Sequence, residues 1–167
     1  AFDNEDPRRI LTPASTEKTY KNWCRKEIAE WIIEQAKKDI TFIAGIDHGF
    51  SFPLDYFERY RIKSWPEFLD DFCEHWPTDS EHTYVDFIRD REEGPPDRTG
   101  KPTDLRLTEK WTSSAKRVFK FDVQGSVAKS THSGLPWLRR IRSEVGSKVH
   151  FWPFDGWEVP EGKSVIA

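Results

Sequence analysis

The feature that most constrains this chain is residues 40–53, ITFIAGIDHGFSFP, where a short apolar run ends between two glycines. The run is rich in β-branched residues and has the length of a buried strand, which we predict over 40–46. Asp47 and His48 follow between Gly45 and Gly49, which let the backbone turn sharply and let a ligand approach it. Since ligands of open α/β sheets bind beyond the carboxyl ends of strands, Asp47 and His48 are candidate catalytic residues. The alternative is that Asp47 caps a turn and that His48 is merely exposed.

The predicted strand follows directly on a predicted helix. Between residues 17 and 38 the apolar side chains recur at helical spacing, which predicts an amphipathic helix that packs on a sheet. This stripe consists of Tyr20, Trp23, Cys24, Ile28, Trp31, Ile32 and Ala36. A helix followed at once by a strand is typical of the α/β class, which we therefore predict for the chain.

The middle of the chain also has helical character. Ser64 and Glu67 have the spacing of a capping box, with Pro66 in the first turn of the helix that they begin. A further helix is predicted over 80–91 from its apolar spacing. We therefore interpret 54–140 as a mainly helical insertion within a single domain.

The end of the chain contains further candidate strands. Gly134-Leu135-Pro136 is predicted to break or start a helix, and a helix with a basic face is predicted over 137–142. Residues 148–154 have the pattern of a second strand, and Asp155 beside Gly156 then repeats the carboxylate-and-glycine turn that follows the first. The last four residues, 164–167, have the pattern of the opening of another strand.

The composition limits the classes of function. The 167 residues suit one domain, and the near balance of charges, with a net charge of -3, gives no global indication of nucleic-acid binding. Two cysteines without metal-ligand spacing favour a reducing, cytoplasmic setting, and no apolar run reaches the length of a membrane span. The chain begins with Ala1 and contains no methionine, which indicates a piece of a longer protein, so the domain over 1–167 is expected to be partial.

Few side chains remain that could carry chemistry. The sequence has no phosphate-binding glycine loop, no nucleophile elbow and no zinc motif. Asp47 is a candidate Mg²⁺ ligand, and Asp155 is a possible second one if the two strands are neighbours. Arg106 and Glu109 share a helix face, so they form either a structural ion pair or a site. In such a site Arg106 faces a phosphate or a carboxylate, and Glu109 orients Arg106 or binds a metal.

Positive charge is concentrated over residues 110–148, where Lys116 is a further candidate for phosphate contact. The aromatic side chains among these cations could stack on bases. They are Trp111, Phe119, Phe121 and Trp137. A solvated helix face above an aromatic core explains the same pattern, so nucleic-acid binding by this segment is one of two interpretations.

Two of these motifs resemble those of the DUF429 family, which is grouped with the RNase H-like folds. The segment GIDHGFSFP resembles the family element that closes a strand, and Arg106-Leu107-Thr108-Glu109 resembles its Arg-x-Thr-Glu signature. The resemblance spans residues 17–167 and implies a mixed sheet flanked by helices, with a helical insertion. The three strands that open an RNase H-like fold, and the metal-binding Asp on the first of them, have no counterpart in this sequence.

The resemblance also implies roles for individual residues. Asp47 matches the second metal-binding acid of the fold, Glu109 is a possible further catalytic acid, and the family pattern does not require a histidine at His48. Arg106 and Lys116 would contact phosphate. The implied function is a Mg²⁺-dependent, nuclease-like phosphodiester hydrolase of the cytoplasm. Two alternatives stay open: a non-catalytic module that binds nucleic acid or protein, and a small-molecule phosphoryl-transfer enzyme that binds a nucleotide.

Overall fold

The computed structural model describes residues 10, 22–80, 83–90, 98–112 and 116–167. Within them the chain forms six α-helices and three short strands, so the predicted α/β class is confirmed. The elements are α1 (Arg25–Lys37), β1 (Ile43–Ala44), α2 (Leu54–Tyr60), α3 (Trp65–His75), α4 (Val85–Arg89), α5 (Leu107–Trp111), α6 (Ala128–Val145), β2 (Val149–Phe151) and β3 (Ser164–Ile166). A short 3₁₀ turn, Gly146–Lys148, joins α6 to β2.

The three strands form one parallel sheet in the order β1-β3-β2. The strand predicted at the end of the chain is confirmed as β3, the central strand, with Val165 opposite both Ile43 and His150. The expectation of a mixed sheet is wrong for the described residues, in which every pairing is parallel. Residues 152–163 supply the long connection that a parallel pair needs, where an antiparallel pair would use a hairpin. The RNase H-like assignment stays a prediction.

Helix α1 packs against α6 and begins later than the predicted helix. It starts at Arg25 rather than at residue 17, and residues 17–21 lie outside the described part of the chain. Glu27 marks the start, because its carboxylate accepts a hydrogen bond from the backbone N–H of Cys24 over 3.0 Å. The buried face consists of Ala29, Ile32, Ile33 and Ala36. Ile28, which belongs to the predicted stripe, is 41% exposed and does not belong to this buried face.

Strand β1 is an edge strand rather than the buried strand that the apolar run predicts. Only Ile43 and Ala44 have strand geometry, although Phe42 O and Ile46 N also bond to the β3 segment. No described strand pairs with the outer edge of β1. Ile43 is 75% exposed, because its side chain projects from the face of the segment that the core does not cover. Burial alternates along 41–46, so one face of this segment packs on the core and the other meets solvent.

The predicted cap of α3 is confirmed in part. Ser64 Oγ accepts a hydrogen bond from Glu67 N over 3.3 Å, and Pro66 lies in the first turn. The Glu67 carboxylate does not return to Ser64 but accepts from Lys63 N over 2.9 Å. Helix α4 is shorter than the helix predicted over 80–91, of which residues 81, 82 and 91 lie outside the described part.

Helix α6 runs through Gly134-Leu135-Pro136, where the sequence predicts a helix break or start. Pro136 has no N–H, so the carbonyl of His132 loses its helical hydrogen-bond partner. Thr78 replaces that partner: its Oγ1 donates a hydrogen bond to His132 O over 2.6 Å, and both residues are buried. The helix therefore continues because a residue distant in the chain satisfies the carbonyl that proline leaves free.

The His132 side chain lies at the centre of an aromatic core. Its Nδ1 donates a hydrogen bond to Ala128 O over 2.8 Å, and its Nε2 has no hydrogen-bond partner within the part of the chain that the structure describes. The aromatic rings around it have centroids 4.7 to 6.0 Å away and belong to Phe52, Phe72, Trp76, Phe119 and Phe121. Burial lowers the pKa of His132 from 6.5 to about 3, so the ring is neutral in the folded protein.

The described helices are short or carry many charges. The longest of them, α6, has 18 residues and presents several arginines to solvent. None of the helices in the described part of the chain has the length and apolar character that crossing a bilayer requires.

Candidate functional site

The carboxyl ends of the three parallel strands lie at one edge of the sheet, and a pocket of about 280 Å³ is found there. Ile46 beyond β1, Trp152 after β2 and Ala167 after β3 contribute to its wall. His48 and Arg106 line the same pocket, so the structure brings these two predicted site residues together. We call it the edge pocket. Its position is the one where open α/β sheets bind ligands.

His48 forms the wall between the edge pocket and a second pocket that lies between α1 and α6. Its Nδ1 donates a hydrogen bond to Gly49 O over 2.9 Å, and its ring packs against α6 at Gly134. A Cβ at Gly134 would lie 2.3 Å from His48 Nε2, so only glycine leaves room for the ring. Burial lowers the pKa of His48 below 6.5, and Arg25 lowers it too, while the Gly49 hydrogen bond and Asp47 oppose the shift. The ring is therefore mainly neutral at pH 7.

Gly49 fixes the turn after β1 against two other elements. Its N–H donates a hydrogen bond to Thr131 Oγ1 in α6 over 2.9 Å. A Cβ at Gly49 would lie 2.5 Å from Arg106 Nη1, so the absence of a side chain lets the guanidinium approach the backbone. Gly45 has open space around it instead. Of the two glycines that the sequence singles out, Gly49 alone permits a close approach.

Arg106 and Glu109 form an ion pair, which is one of the two interpretations of their spacing, although Arg106 is the N-cap residue before α5 rather than part of a helix face. Glu109 Oε1 accepts hydrogen bonds from Arg106 Nε and Nη2 over 2.9 and 2.7 Å, and Oε2 accepts from Arg106 N over 2.8 Å. The Glu109 side chain is only 1% exposed, whereas that of Arg106 is 25% exposed. Arg106 thus donates hydrogen bonds to both carboxylate oxygens of Glu109, and the carboxylate in turn holds the guanidinium in a fixed plane. Arg106 Nη1 has no hydrogen-bond partner among the described residues.

Asp155 closes the turn that follows β2. Its Oδ2 accepts hydrogen bonds from Phe151 N and from Arg142 Nη1, each over 2.9 Å. Arg142 also lies 5.4 Å from the ring centres of Trp65 and Phe151. These contacts explain why β2 ends at Phe151 rather than continuing to residue 154 as predicted. Asp155, which is predicted from the sequence as a metal ligand, therefore pairs its negative charge with Arg142.

Asp47 and Lys116 stand apart from the edge pocket. Asp47 is exposed and lines the second pocket, and it forms no hydrogen bond or ion pair with another described residue. Lys116 is exposed and lines neither pocket; the three residues before it lie outside the described part. The roles assigned to both residues from the sequence stay predictions.

The described carboxylates at this edge do not fit a Mg²⁺ site. Mg²⁺ requires oxygen ligands in near-octahedral geometry and is usually bound by one or two carboxylates. The oxygens of Glu109 and Asp155 already accept hydrogen bonds from arginines, which leaves Asp47 alone. No group of three or more His, Cys, Asp or Glu side chains in the described ranges is placed to hold a metal.

Sequence reasoning misses the aromatic wall of the edge pocket. Phe50, Trp152 and Phe154 line it, and the rings of Phe50 and Phe154 stack with centroids 6.3 Å apart. The sequence pattern predicts a strand up to residue 154, which leaves no room for the turn that brings Trp152 and Phe154 to the pocket. Pro153 is the signal for this turn, because a residue without an N–H rarely continues a strand.

Comparison with protein-family models, with curated proteins and with solved structures finds no match. The function of this chain is therefore inferred from the geometry of its site.

Proposed function

We propose that this chain is a binding module that takes up a nucleotide in the edge pocket and catalyses no reaction there. The observation that carries the proposal is Arg106, which is held by the buried Glu109 in a pocket walled by aromatic rings. Two of the three carboxylates that would serve a hydrolase, Glu109 and Asp155, instead fix arginines in place. Recognition by hydrogen-bond donors and ring stacking is the chemistry that this geometry supports best.

Arg106 supplies the phosphate contact in this proposal. A guanidinium donates hydrogen bonds to the oxygens of a phosphate, and Nη1 is the guanidinium nitrogen of Arg106 that does not bond to Glu109. Glu109 holds Nε and Nη2, so little side-chain entropy is lost when Nη1 binds a ligand. Since Glu109 neutralises the charge of Arg106, the contact acts through hydrogen bonding rather than through net charge.

The rings at the other side of the pocket supply the base contact. Trp152 is 37% exposed and lines the edge pocket, so its ring is accessible to a planar group. The half-buried ring of Phe154 instead already stacks on Phe50 and Trp65 and supports the wall. Stacking of a base on an aromatic side chain contributes about 1–3 kcal/mol. In this arrangement the phosphate of the nucleotide binds the polar side of the pocket at Arg106, and the base binds the aromatic side at Trp152.

Calorimetric titration with adenosine monophosphate tests the proposal. We expect binding in the wild type and a loss of about 10- to 100-fold in affinity for Arg106→Gln, because a hydrogen bond to a charged group is removed. Trp152→Ala should lose about tenfold or more through stacking. Arg139→Gln is the matched control, since Arg139 pairs with Asp70 at the surface and does not line the edge pocket.

Two results contradict nucleotide binding at this site. One is the absence of binding heat at about 5 mM nucleotide, far above the concentration at which specific small ligands bind. The other is equal affinity of the wild type and Arg106→Gln. Affinity that instead increases with the length of an oligonucleotide assigns the pocket to single-stranded nucleic acid rather than to a free nucleotide.

A metal-dependent phosphodiester hydrolase is the second candidate function. Asp47 favours it, because this exposed carboxylate lies just beyond a parallel strand and has no described partner. A metal that binds the folded protein raises its melting temperature, and Asp47→Asn should abolish such a shift with Mg²⁺ or Mn²⁺. Metal-dependent cleavage that persists in Asp47→Asn contradicts this role, and the absence of any shift favours the binding module.

A further inference from the structure

The second pocket has a volume of about 430 Å³ and lies between α1 and α6, on the other side of His48 from the edge pocket. This volume is in the range of small-molecule sites. Most of its wall is apolar. The apolar side chains come from Ile28 and Ile32 in α1 and from Trp137, Leu138 and Ile141 in α6. We call it the interhelical pocket.

Two opposite charges meet at the end of the interhelical pocket nearest the sheet. Arg25 in the first turn of α1 and Asp47 after β1 both line it, and both act electrostatically on the same His48 ring. Both charged residues are exposed, and neither forms an ion pair with another described residue. The His48 ring between them is mainly neutral. An apolar cavity is thus bordered by a cation and an anion that have no ion-pair partner among the described residues.

We propose that the interhelical pocket binds a zwitterionic molecule with a large apolar group, of the chemical class of a free aromatic α-amino acid. The carboxylate pairs with Arg25, the ammonium group pairs with Asp47, and the apolar group enters between α1 and α6. A purely anionic ligand meets repulsion from Asp47, and a purely cationic one meets repulsion from Arg25. A neutral apolar ligand leaves both charges without a partner.

This site does not depend on nucleotide binding. The two pockets share Ile46 and His48 as a wall, but Arg106 does not line the interhelical pocket and Arg25 does not line the edge pocket. Either site can therefore fail its test while the other passes.

Calorimetric titration with three matched probes tests the chemical class. The probes are L-tryptophan, tryptamine, which lacks the carboxylate, and indole-3-propionate, which lacks the ammonium group. We expect L-tryptophan to bind with a dissociation constant at or below about 1 mM. Each analogue should bind about tenfold more weakly or worse, since each loses a charge-assisted hydrogen bond.

Charge variants then assign each contact to one side chain. In Arg25→Gln the preference for L-tryptophan over tryptamine should disappear, while the preference over indole-3-propionate remains. In Asp47→Asn the reverse should hold. Lys26→Gln is the control, because this neighbouring exposed cation does not line the interhelical pocket. Both charged residues are exposed, so these variants should fold, which their melting temperatures verify.

The thiol of Cys24 locates the binding within the chain. Cys24 is exposed and lines the interhelical pocket, whereas burial raises the pKa of Cys73 to about 12 and keeps that thiol unreactive. Saturating L-tryptophan should slow alkylation of Cys24 by iodoacetamide, and Cys24→Ser should remove the fast-reacting thiol. The proposal is overturned if the three probes bind equally, if L-tryptophan does not bind at about 5 mM, or if the alkylation rate stays unchanged at saturation.

Discussion

Replacing Gly134 by alanine should displace the His48 ring from its position against α6. The added methyl carbon would lie 2.3 Å from Nε2, 2.6 Å from Cδ2 and 2.7 Å from Cε1 of the ring. Three atoms of a rigid ring must therefore move together, while the hydrogen bond from Nδ1 to Gly49 O holds the ring in place. Since α6 continues on both sides of Gly134, the helix backbone has little freedom to move instead.

Two opposing contributions set the size of the effect. Alanine is more favourable than glycine inside a helix by about 1 kcal/mol. Forcing extra atoms into a filled site costs about 1–3 kcal/mol. When His48 is present, Gly134→Ala should therefore lower the free energy of unfolding by about 0–2 kcal/mol. In the His48→Ala background, the same substitution should raise it by about 1 kcal/mol. The coupling free energy between the two positions is then about 1–3 kcal/mol.

Equilibrium unfolding in urea measures this coupling from the wild type, the two single variants and the double variant. Ser133→Ala in both backgrounds is the control, because the neighbouring helical position gains helix propensity without meeting the His48 ring. If Gly134→Ala stabilises the protein by the same amount with and without His48, the ring does not pack against α6 and His48 does not separate the two pockets.

Three further substitutions test the buried polar groups. His132→Leu should reduce acid sensitivity: the His132 pKa of about 3 in the folded state lies below 6.5, so the unfolded chain takes up the proton first as the pH falls. The wild type should therefore lose about 2 kcal/mol more than the variant between pH 7 and pH 5 in urea unfolding, and an equal loss would contradict the buried position. Glu109→Gln should destabilise by about 1–3 kcal/mol, because Arg106 loses a charged acceptor, and a neutral result in thermal unfolding would mean that the ion pair is not needed. Thr78→Val should cost about 1–3 kcal/mol by leaving the carbonyl of His132 without its donor, and restoring that donor with Thr78→Ser should recover most of the loss.

Local chemistry explains which parts of the fold and site could be predicted from the sequence. The cap at Ser64 depends on residues that are close in the chain, and so does the pairing of Arg106 with Glu109. The turn at Asp47 could be placed because an apolar run ended there at a glycine. In each case the partners lie within a few positions of one another, so spacing alone carries the information.

Contacts between distant residues explain what the sequence could not provide. The continuation of α6 through Pro136 depends on Thr78, which lies 54 residues from the His132 carbonyl that it satisfies. The role of Asp155 depends on Arg142 across the packed face of α6 and β2. Neither partner can be chosen from spacing, because many hydroxyl groups and cations in this chain could serve equally well.

The pairing of Arg106 with Glu109 also determines how the edge pocket should respond to salt. Glu109 neutralises the charge of Arg106, so the pocket presents an oriented N–H donor without excess positive charge. A site that attracts phosphate by net charge loses affinity steeply as salt rises, since each phosphate contact releases counterions. Here the affinity for a nucleotide should fall by less than about threefold between 50 and 200 mM salt, because screening acts mainly on unpaired exposed charges. A steep fall would place the bound phosphate on unpaired surface cations instead of Arg106.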